Sequence, residues 1–405
     1  MRHIPYWFDR FPRSRRPSYP KLRGSHVTRI AVVGGGLTGA ACALAFTTAG
    51  FEVLLLEANT VGGGATAGAD GLLREGCNAS FHDVAAAHGL RQARELWDGM
   101  RRGSLDFAAT LRRLKIRCDP GAVDLFTIAA VTADASKTLQ REQLARKSAG
   151  VAGSWVTPPV TARDAAVDTG GAIRTHGAAI DPYRACIGLV AAAETRGAAI
   201  HERSAVRRIR ALARHVDITT AEGTVRADAV IVATSAPVAD LRALRRHLTP
   251  YLRYAVVTDP LSPAMRRQVG PRRAALEDAV APHRLVRWID DARAFVSGGL
   301  QPEVPARLRE RTLTQRTGQL MYELSLLYPP ISGLKPAWAW DTPDYETVDG
   351  LPFVGPHRNF PRHLFAFTPS SHGAALAWTA ARVLVRHYQG EGAKGDQAFG
   401  FGRIL

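Results

Sequence analysis

Residues 29–66 read RIAVVGGGLTGAACALAFTTAGFEVLLLEANTVGGGAT, and this stretch decides the fold. The β-branched run at 28–33 predicts a buried strand, and the Ala-rich run at 37–48 predicts a helix. Residues 51–56 (FEVLLL) predict a second buried strand. A strand, a helix and a strand in such close succession predict a parallel strand pair joined by a right-handed crossover.

The turn after the first strand carries a GxGxxG fingerprint, GGGLTG at 34–39. Its first glycine permits a tight turn, its second lets the backbone approach a pyrophosphate, and its third lets the helix pack closely on the strand. Free N–H groups at the helix start would face the phosphates. Glu57 ends the second strand, where an acidic residue accepts hydrogen bonds from an adenosine ribose. We therefore predict a dinucleotide site that includes Gly34, Gly36, Leu37, Thr38, Gly39, Glu57 and Ala58.

Three further features favour FAD over NAD as the dinucleotide. A second glycine-rich loop, VGGGAT at 61–66, adds the candidate contacts Gly64, Ala65 and Thr66, and a buried strand at 229–234 ends in Ala233 and Thr234. Near the C-terminus, DGLPFVG at 349–355 is followed by SHGA at 371–374 and a predicted helix. No second GxGxxG follows a strand, so we expect electrons to come from an organic substrate and not from a separate NAD(P)H domain.

Composition excludes several other classes of protein. The chain has 405 residues, 46% of them hydrophobic, which is typical of a globular protein with sizeable cores. The net charge of +17 comes from scattered arginines and not from one basic stripe, so no nucleic-acid partner is predicted. Neither the cysteines nor the histidines have metal-ligand spacing. The apolar run at 30–49 is broken by glycines, and the basic segment 1–27 lacks a signal-peptide core, so we expect no transmembrane segment and a cytoplasmic protein.

With these motifs the chain resembles the FAD-dependent amine and amino-acid oxidoreductase superfamily, which includes D-amino acid oxidase, glycine oxidase and sarcosine oxidase. The resemblance implies that Val206 contacts adenine through its backbone. It also implies that the 347–355 segment lies along the isoalloxazine ring and that a helix start at 372–374 stabilises negative charge on the reduced flavin. These parallels add the candidate contacts Val206, Gly350, Leu351, Pro352, Gly355, His372, Gly373 and Ala374.

The resemblance implies hydride transfer to flavin N5 from a carbon that bears an amine, followed by hydrolysis of the imine. His372 is the strongest catalytic candidate, and Tyr254, Trp288 and Trp340 are candidate pocket aromatics. Arg287 and Trp288 are neighbours on one predicted strand, so only one of them can face the pocket.

The sequence departs from better-known members of the superfamily in three respects. Asp344 stands near the expected place of a carboxylate-binding Arg, which favours a cationic group unless Arg74 or Arg287 binds an acid from another side. Residues 335–348 contain no Cys for a covalent flavin link, so noncovalent FAD is predicted. The predicted substrate sheet at 284–300 contains no Lys to activate oxygen, so the electron acceptor is either O₂ or a redox partner.

The predicted architecture is an α/β fold with a discontinuous Rossmann-like FAD-binding domain and an inserted α+β substrate domain. The FAD-binding domain is assigned to 28–90, 161–244 and 331–405, after an N-terminal extension at 1–27. The substrate domain comprises a helical part at 91–160 and a mostly antiparallel sheet within 245–330. The favoured activity is oxidation of a C–N bond in a small-molecule amine or an amino acid, including N-substituted ones. Two alternatives are FAD-dependent dehydrogenation of a hydroxy acid or other C–H donor, and a non-catalytic flavoprotein.

Overall fold

The computed structural model describes residues 1–77, 79–234, 239–281, 283–290, 292–369 and 374–404. Strands and helices are numbered separately, in chain order. The helices are α1 (Tyr6–Arg10), α2 (Leu37–Thr48), α3 (Ala65–Gly68), α4 (Phe81–His88), α5 (Leu90–Arg113), α6 (Ala133–Ala149), α7 (Pro158–Ala165), α8 (Pro182–Glu194), α9 (Pro263–Val269), α10 (Ala306–Leu327) and α11 (Ala375–Gln389).

The first sheet contains the predicted βαβ unit. Its strands, in spatial order, are β16 (Phe353–His357), β17 (Phe360–Phe367), β10 (Gly223–Val232), β1 (Gly24–Val33), β2 (Val53–Leu56) and β7 (Ala199–His201). The run from β17 to β7 is parallel, whereas β16 is antiparallel to β17. A hairpin of β8 (Arg208–Ala211) and β9 (Val216–Thr219) pairs with the first half of β10. The predicted Rossmann-like architecture is confirmed.

Apolar side chains on both faces of the first sheet explain its near-continuous hydrophobic strands. Helices α2, α5, α8 and α11 pack together on one face. The hairpin and the phenylalanines of β16 and β17 pack on the other face. Strands buried on both sides must be apolar at every position, as in Val53–Leu56, all four of whose residues are buried.

The second sheet is mostly antiparallel, as predicted. Its strands, in spatial order, are β15 (Pro336–Thr347), β11 (Leu248–Thr258), β14 (Arg293–Pro302), β13 (Leu285–Ile289), β12 (Ala274–Asp278), β4 (Gly121–Ile128), β6 (Ala172–Ala179) and β3 (Leu72–Leu73), with β5 (Ser154–Val156) beside β6. The single parallel pairing among these strands joins β12 to β4. One face packs on α10, and the other packs on Tyr6 and Trp7 of α1 and on Tyr183 of α8.

The strand pairing departs from the predicted domain segments at several places. Strands β3, β6 and β15 belong to segments assigned to the FAD-binding domain, yet they pair within the second sheet. The segment 91–160, predicted to be helical, also contributes β4 and β5. Long-range pairing causes these differences, because β15 follows β11 along nearly its whole length and β4 lies between β6 and β12.

The N-terminal segment is an integral part of the fold and not a free extension. Tyr6 and Trp7 in α1 are buried, and their rings lie edge-on to each other. Tyr6 also packs edge-on against Trp338 of β15, and the Trp338 indole N–H donates to Asp9 at 3.0 Å. Residues 2–9 therefore bind the second sheet, and the segment leads into β1 at Gly24. None of the described helices is long and apolar enough to span a membrane.

Candidate active site

Glycines shape the turn between β1 and α2. Gly34 has a φ of +109°, and a Cβ placed there would lie 2.5 Å from the carbonyl oxygen of Ala233. A Cβ on Gly39 would lie 1.8 Å from the carbonyl oxygen of Gly34. Any side chain at either position would push α2 or β10 away, so the turn depends on these glycines.

Two side chains fasten the loops around this turn. Glu57 accepts a hydrogen bond from the backbone N–H of Gly35 at 2.7 Å and another from Asn59 at 2.8 Å. The hydroxyl of Thr66 accepts from the backbone N–H of Leu37, the first residue of α2, at 2.8 Å. A carboxylate can accept about four hydrogen bonds, so Glu57 retains acceptor capacity for a ribose hydroxyl.

A cavity of about 310 Å³ opens where the carboxyl ends of β1, β2, β10 and β17 meet, as ligand sites of open parallel sheets do. The cofactor contacts predicted from the sequence that line this cavity are Gly34, Gly36, Leu37, Thr38, Glu57, Ala58, Gly64, Ala65, Thr66, Val206, Ala233, Thr234 and Ala374.

The other predicted cofactor contacts lie elsewhere. Gly39 is buried at the packing contact of α2 and does not line the cavity. His372 and Gly373 lie outside the described residues. The remaining four predicted contacts do not line this cavity: Gly350, Leu351, Pro352 and Gly355.

Arg403 fastens the turn at the start of the DGLPFVG segment. Its guanidinium pairs with both carboxylate oxygens of Asp349, at 2.6 and 3.0 Å, and also donates to the carbonyls of Leu351 and Pro352. The Arg403 side chain is fully buried in this turn. That these residues lie along a flavin ring stays a prediction; in the structure the turn closes on the C-terminal arginine.

Several residues that line the cavity were missed by sequence reasoning. Ala366 lies next to the last residue of β17, and Thr368 and Pro369 follow the strand, so the parallel pairing of β17 with β10 would have pointed to them. The others come from sheet packing that no local motif reveals: Val33, Leu56, Ala69, Ala205, Pro343, Asp344, Tyr345 and Ala377.

The residues around the cavity fit a dinucleotide. Gly36 and Gly64 present bare backbone to it, the first residues of α2 line it, and Glu57 stands at the end of β2. A glycine-lined turn leading into a helix N-terminus binds phosphates, and an acidic residue after the next strand binds ribose. The structure therefore provides the backbone and the side chains that FAD requires.

Two predicted aromatic residues lie on opposite faces of the second sheet. Tyr254 packs with the side chains beneath α10, and its hydroxyl accepts a hydrogen bond from Gln301 at 2.8 Å. Trp340 lies on the other face, and its indole N–H donates to the carbonyl of Gly68 in α3 at 3.3 Å. Trp340 pairs with Ala255, the neighbour of Tyr254, so the two aromatic side chains face opposite ways. The structure thus places Tyr254 away from the cofactor cavity, contrary to prediction.

Arg287 and Trp288 also face opposite sides of the sheet, as their alternation predicts. Trp288 packs against Tyr328, beneath α10. Arg287 is buried beside Trp7, 5.1 Å from the ring centroid, and its guanidinium donates to the backbone carbonyl of Asp70. Burial lowers the pKa of Arg287 to about 10. Arg287 therefore connects the second sheet, the N-terminal segment and the loop after α3, and it does not line the cofactor cavity.

A buried ionic cluster lies next to that loop. The guanidinium of Arg74 donates to Asp70 at 2.8 Å and to Glu277 of β12 at 2.7 Å, and all three side chains are less than 10% exposed. Burial by itself would lower the pKa of Arg74, but the two adjacent carboxylates raise it. Buried charge clusters are costly and are concentrated at functional sites.

Asp344 lines the cofactor cavity and is buried within β15. One of its carboxylate oxygens accepts a hydrogen bond from Arg253 at 3.3 Å, and the other accepts from the backbone N–H of Tyr345 at 2.9 Å. The charge of Asp344 is therefore already balanced by an arginine. Asp344 therefore attracts a cationic group of a substrate less strongly than the sequence suggests.

The fold and the cavity define a dinucleotide-binding α/β protein whose second, antiparallel sheet adjoins the cofactor site. Residues 29–387 match the model of the family described as DAO: FAD dependent oxidoreductase, and the chain belongs to this family. It is therefore an FAD-dependent oxidoreductase, as the sequence predicts.

Individual proteins share this similarity over nearly the whole chain. Gamma-glutamylputrescine oxidoreductase of Escherichia coli (strain K12) is 26% identical over 93% of this chain and 87% of that protein. Glycine oxidase from Geobacillus kaustophilus superposes with a TM-score of 0.73 at 20% identity, covering 93% of this chain and 98% of that one. L-amino acid deaminase from Proteus myxofaciens superposes with a TM-score of 0.75 at 13% identity, covering 96% of each chain. The two solved structures confirm the fold.

Proposed function

We propose that this protein oxidises a C–N bond of an amine or an amino acid, including N-substituted ones, with FAD as the electron acceptor. The observation that carries the proposal is the position of the segment at 69–74, which includes β3. Ala69 lines the cofactor cavity, and Arg74 reaches Glu277 in the second sheet. A loop that contacts both the cofactor cavity and a buried charge cluster can place a polar substrate beside the reactive ring.

The names of the similar proteins support the choice of an amine over other donors. The sequence relative is named for a putrescine derivative, and the two solved structures are named for glycine oxidation and for amino-acid deamination. FAD, when bound, supplies an acceptor for the hydride of the carbon that bears the nitrogen. The chain itself supplies orientation and a site from which water is largely excluded.

Noncovalent attachment of FAD is part of the proposal. None of the described cysteines lines the cofactor cavity. The thiol of Cys186 lies 3.5 Å from the carbonyl oxygen of Gly35, but burial raises its pKa far above the ordinary thiol value. A thiol held in its protonated form is a poor nucleophile for a flavin link.

Anaerobic reduction of the holoenzyme tests the proposed reaction. Amines, amino acids and hydroxy acids are added separately, without NADH, and the visible flavin absorption is followed while released ammonia, amine and carbonyl products are measured. We expect an amine or amino acid to bleach the flavin with stoichiometric release of ammonia or an amine. Bleaching by a hydroxy acid alone, or by no member of the panel, would contradict the proposal. The rate of reoxidation by O₂ then distinguishes an oxidase from a dehydrogenase.

A further inference from the structure

Glu277, near the end of β12, lines two adjoining cavities. One has a volume of about 230 Å³ and also contains Arg74. The other has a volume of about 610 Å³ and lies between α6, the loop before α4 and the segment after β12. The two cavities share the lining residues Cys77, Thr127, Arg146 and Glu277. Glu277 therefore stands at the junction of the two cavities.

A short stretch of chain connects this junction to the cofactor cavity. Ala69 and Ala374 line the cofactor cavity, and the backbone N–H of Ala374 donates to the carbonyl of Leu72 at 2.9 Å. Two residues beyond Leu72, Arg74 donates to Glu277. The segment 69–74 therefore runs from the wall of the cofactor cavity to the wall of the cavities beside Glu277.

One oxygen of the Glu277 carboxylate remains available to a ligand. Its Oε1 accepts from Arg74 at 2.7 Å, and no donor to its Oε2 is found among the described residues. The residue is only 7% exposed, so bulk water reaches it poorly. A buried carboxylate oxygen that faces a cavity is a strong acceptor for a cationic N–H donor.

The larger cavity is acidic although the protein as a whole carries a net charge of +17. The carboxylates that line it are Asp83, Glu142, Asp168, Glu277 and Asp278.

Three arginines among the described residues oppose these carboxylates, and two of them are already paired within the wall. Arg146 donates to Glu142 at 2.6 Å, and Arg284 donates to Asp278 at 3.0 Å. The third, Arg141, lies at an exposed position of α6. A cleft lined mostly by one sign of charge concentrates ligands of the opposite sign.

We propose, on the basis of the function proposed above, that the substrate is an amine with a second cationic group, such as a diamine. The Glu277 carboxylate binds the distal ammonium group, and the larger cavity holds the part of the substrate farthest from the flavin. Glu277 is then the residue that distinguishes a diamine from a monoamine of the same length. The second carboxylate on Arg74, Asp70, keeps that guanidinium paired while Glu277 binds its ligand.

Paired substrates test this inference in the holoenzyme. α,ω-Diaminoalkanes of three to six carbons are compared with the monoamines of equal length by anaerobic flavin bleaching, and the ratio of kred/Kd is taken for each pair. We expect the ratio to favour the diamine by about tenfold or more for at least one length in the wild type. Glu277→Gln should bring that ratio to about one, Glu277→Asp should retain part of it, and the surface control Glu222→Gln should leave it unchanged.

Each ratio compares a diamine with a monoamine in the same variant. A general loss of stability therefore affects both substrates equally and leaves the ratio unchanged. Equal bleaching by monoamine and diamine in the wild type overturns the inference while the proposed function stands, and so does a ratio that survives in FAD-containing Glu277→Gln. If no amine bleaches the wild-type flavin, the proposed function fails and the same pairs are compared by calorimetric binding. Tighter binding of the diamine in the wild type and not in Glu277→Gln then supports the inference, and equal binding overturns it. If the Glu277→Gln variant does not bind FAD, the Glu277→Asp variant is used instead. A diamine-to-monoamine ratio in that variant equal to the wild-type ratio then overturns the inference.

Discussion

The cofactor cavity and the charged cavities beside Glu277 are built by different means. The cofactor cavity depends on backbone, because its turn requires glycine at positions where a Cβ would collide with carbonyl oxygens. The cavities beside Glu277 depend on charged side chains from β12, from the loop after β3 and from α6. A backbone-built site suits the constant cofactor of a family, whereas a side-chain-built site can change with the substrate.

The largest effect on cofactor binding is expected in the backbone-built region. Gly39→Ala places a methyl group where it would lie 1.8 Å from the Gly34 carbonyl oxygen, so α2 must move away from the turn. We expect FAD affinity to fall by about 100-fold or more, which corresponds to about 3 kcal/mol. The ratio of flavin to protein absorbance measures this loss.

The matched control is Gly318→Ala in α10, where a Cβ meets no atom within 4 Å. This variant should retain FAD and gain about 0.5 to 1 kcal/mol of stability, because alanine replaces glycine inside a helix. Equal FAD content in the two variants would show that the turn does not depend on the absence of a side chain.

The next effect is expected in the charged region. Arg74→Met leaves the buried carboxylates of Asp70 and Glu277 without their guanidinium partner. Removing one partner of a buried ionic cluster should lower the free energy of unfolding by about 3 to 5 kcal/mol, measured by urea denaturation.

Arg309→Met is the control, because it shows how much the free energy of unfolding falls when an exposed, paired arginine is lost. The Arg309 side chain is 50% exposed and forms a two-bonded pair with Asp341. Loss of such a surface pair should cost about 0 to 1 kcal/mol. If Arg74→Met costs no more than Arg309→Met, the cluster is not the stabilising, desolvated unit that we describe.

A smaller, pH-dependent effect is expected at Asp181, where α8 meets the second sheet. Burial raises the pKa of Asp181 from 3.8 to about 6, so the folded protein binds this proton more tightly than the unfolded chain does. The resulting stabilisation is present below the unfolded pKa and is lost as the pH rises through about 6.

Asp181→Asn isolates this effect because asparagine can still accept the hydrogen bond from the backbone N–H of Arg184. The free energy of unfolding of the variant, relative to the wild type, should increase by on the order of 2 kcal/mol between about pH 4 and pH 7. An identical pH profile for the two proteins would mean that Asp181 is not raised in pKa.

The smallest effect is expected where the N-terminal segment contacts the segment 69–74, which joins the cofactor cavity to the cavities beside Glu277. The indole N–H of Trp7 donates to the carbonyl of Ala69, which lines the cofactor cavity, at 3.0 Å. Trp7→Phe keeps an aromatic ring and removes this bond, so we expect a loss of about 1 kcal/mol in thermal unfolding. A greater loss with FAD bound than without it would show that Trp7 supports the cofactor loop, and an unchanged melting temperature would refute the contact.

The sequence predicted the backbone-built region well because its signals are local. Helix α2 has the predicted limits, and β2 starts two residues later than predicted, at Val53. Strand β10 begins at Gly223 instead of 229, because its first half pairs with β1 on one side and with β9 on the other.

The charged region could not be predicted in the same way. Asp70 and Glu277 are more than 200 residues apart in the chain, and pairing of β12 with β4 and of β4 with β6 brings them together. The prediction that Tyr254 lines the pocket was wrong for a related reason. Alternation along a strand tells which residues share a face of the sheet, but it does not tell which face lies beside the cofactor. The contacts of the DGLPFVG segment were not predicted, because its partner, Arg403, lies in a C-terminal segment without a motif.

The most direct test of the central claim, that the glycine-built cavity holds noncovalent FAD, is the visible absorption spectrum of the purified protein before and after denaturation. We predict flavin bands in the native protein and complete release of stoichiometric FAD into the supernatant when the protein is precipitated. A colourless protein that cannot be reconstituted with FAD would contradict the account, and flavin that stays in the pellet would contradict noncovalent binding.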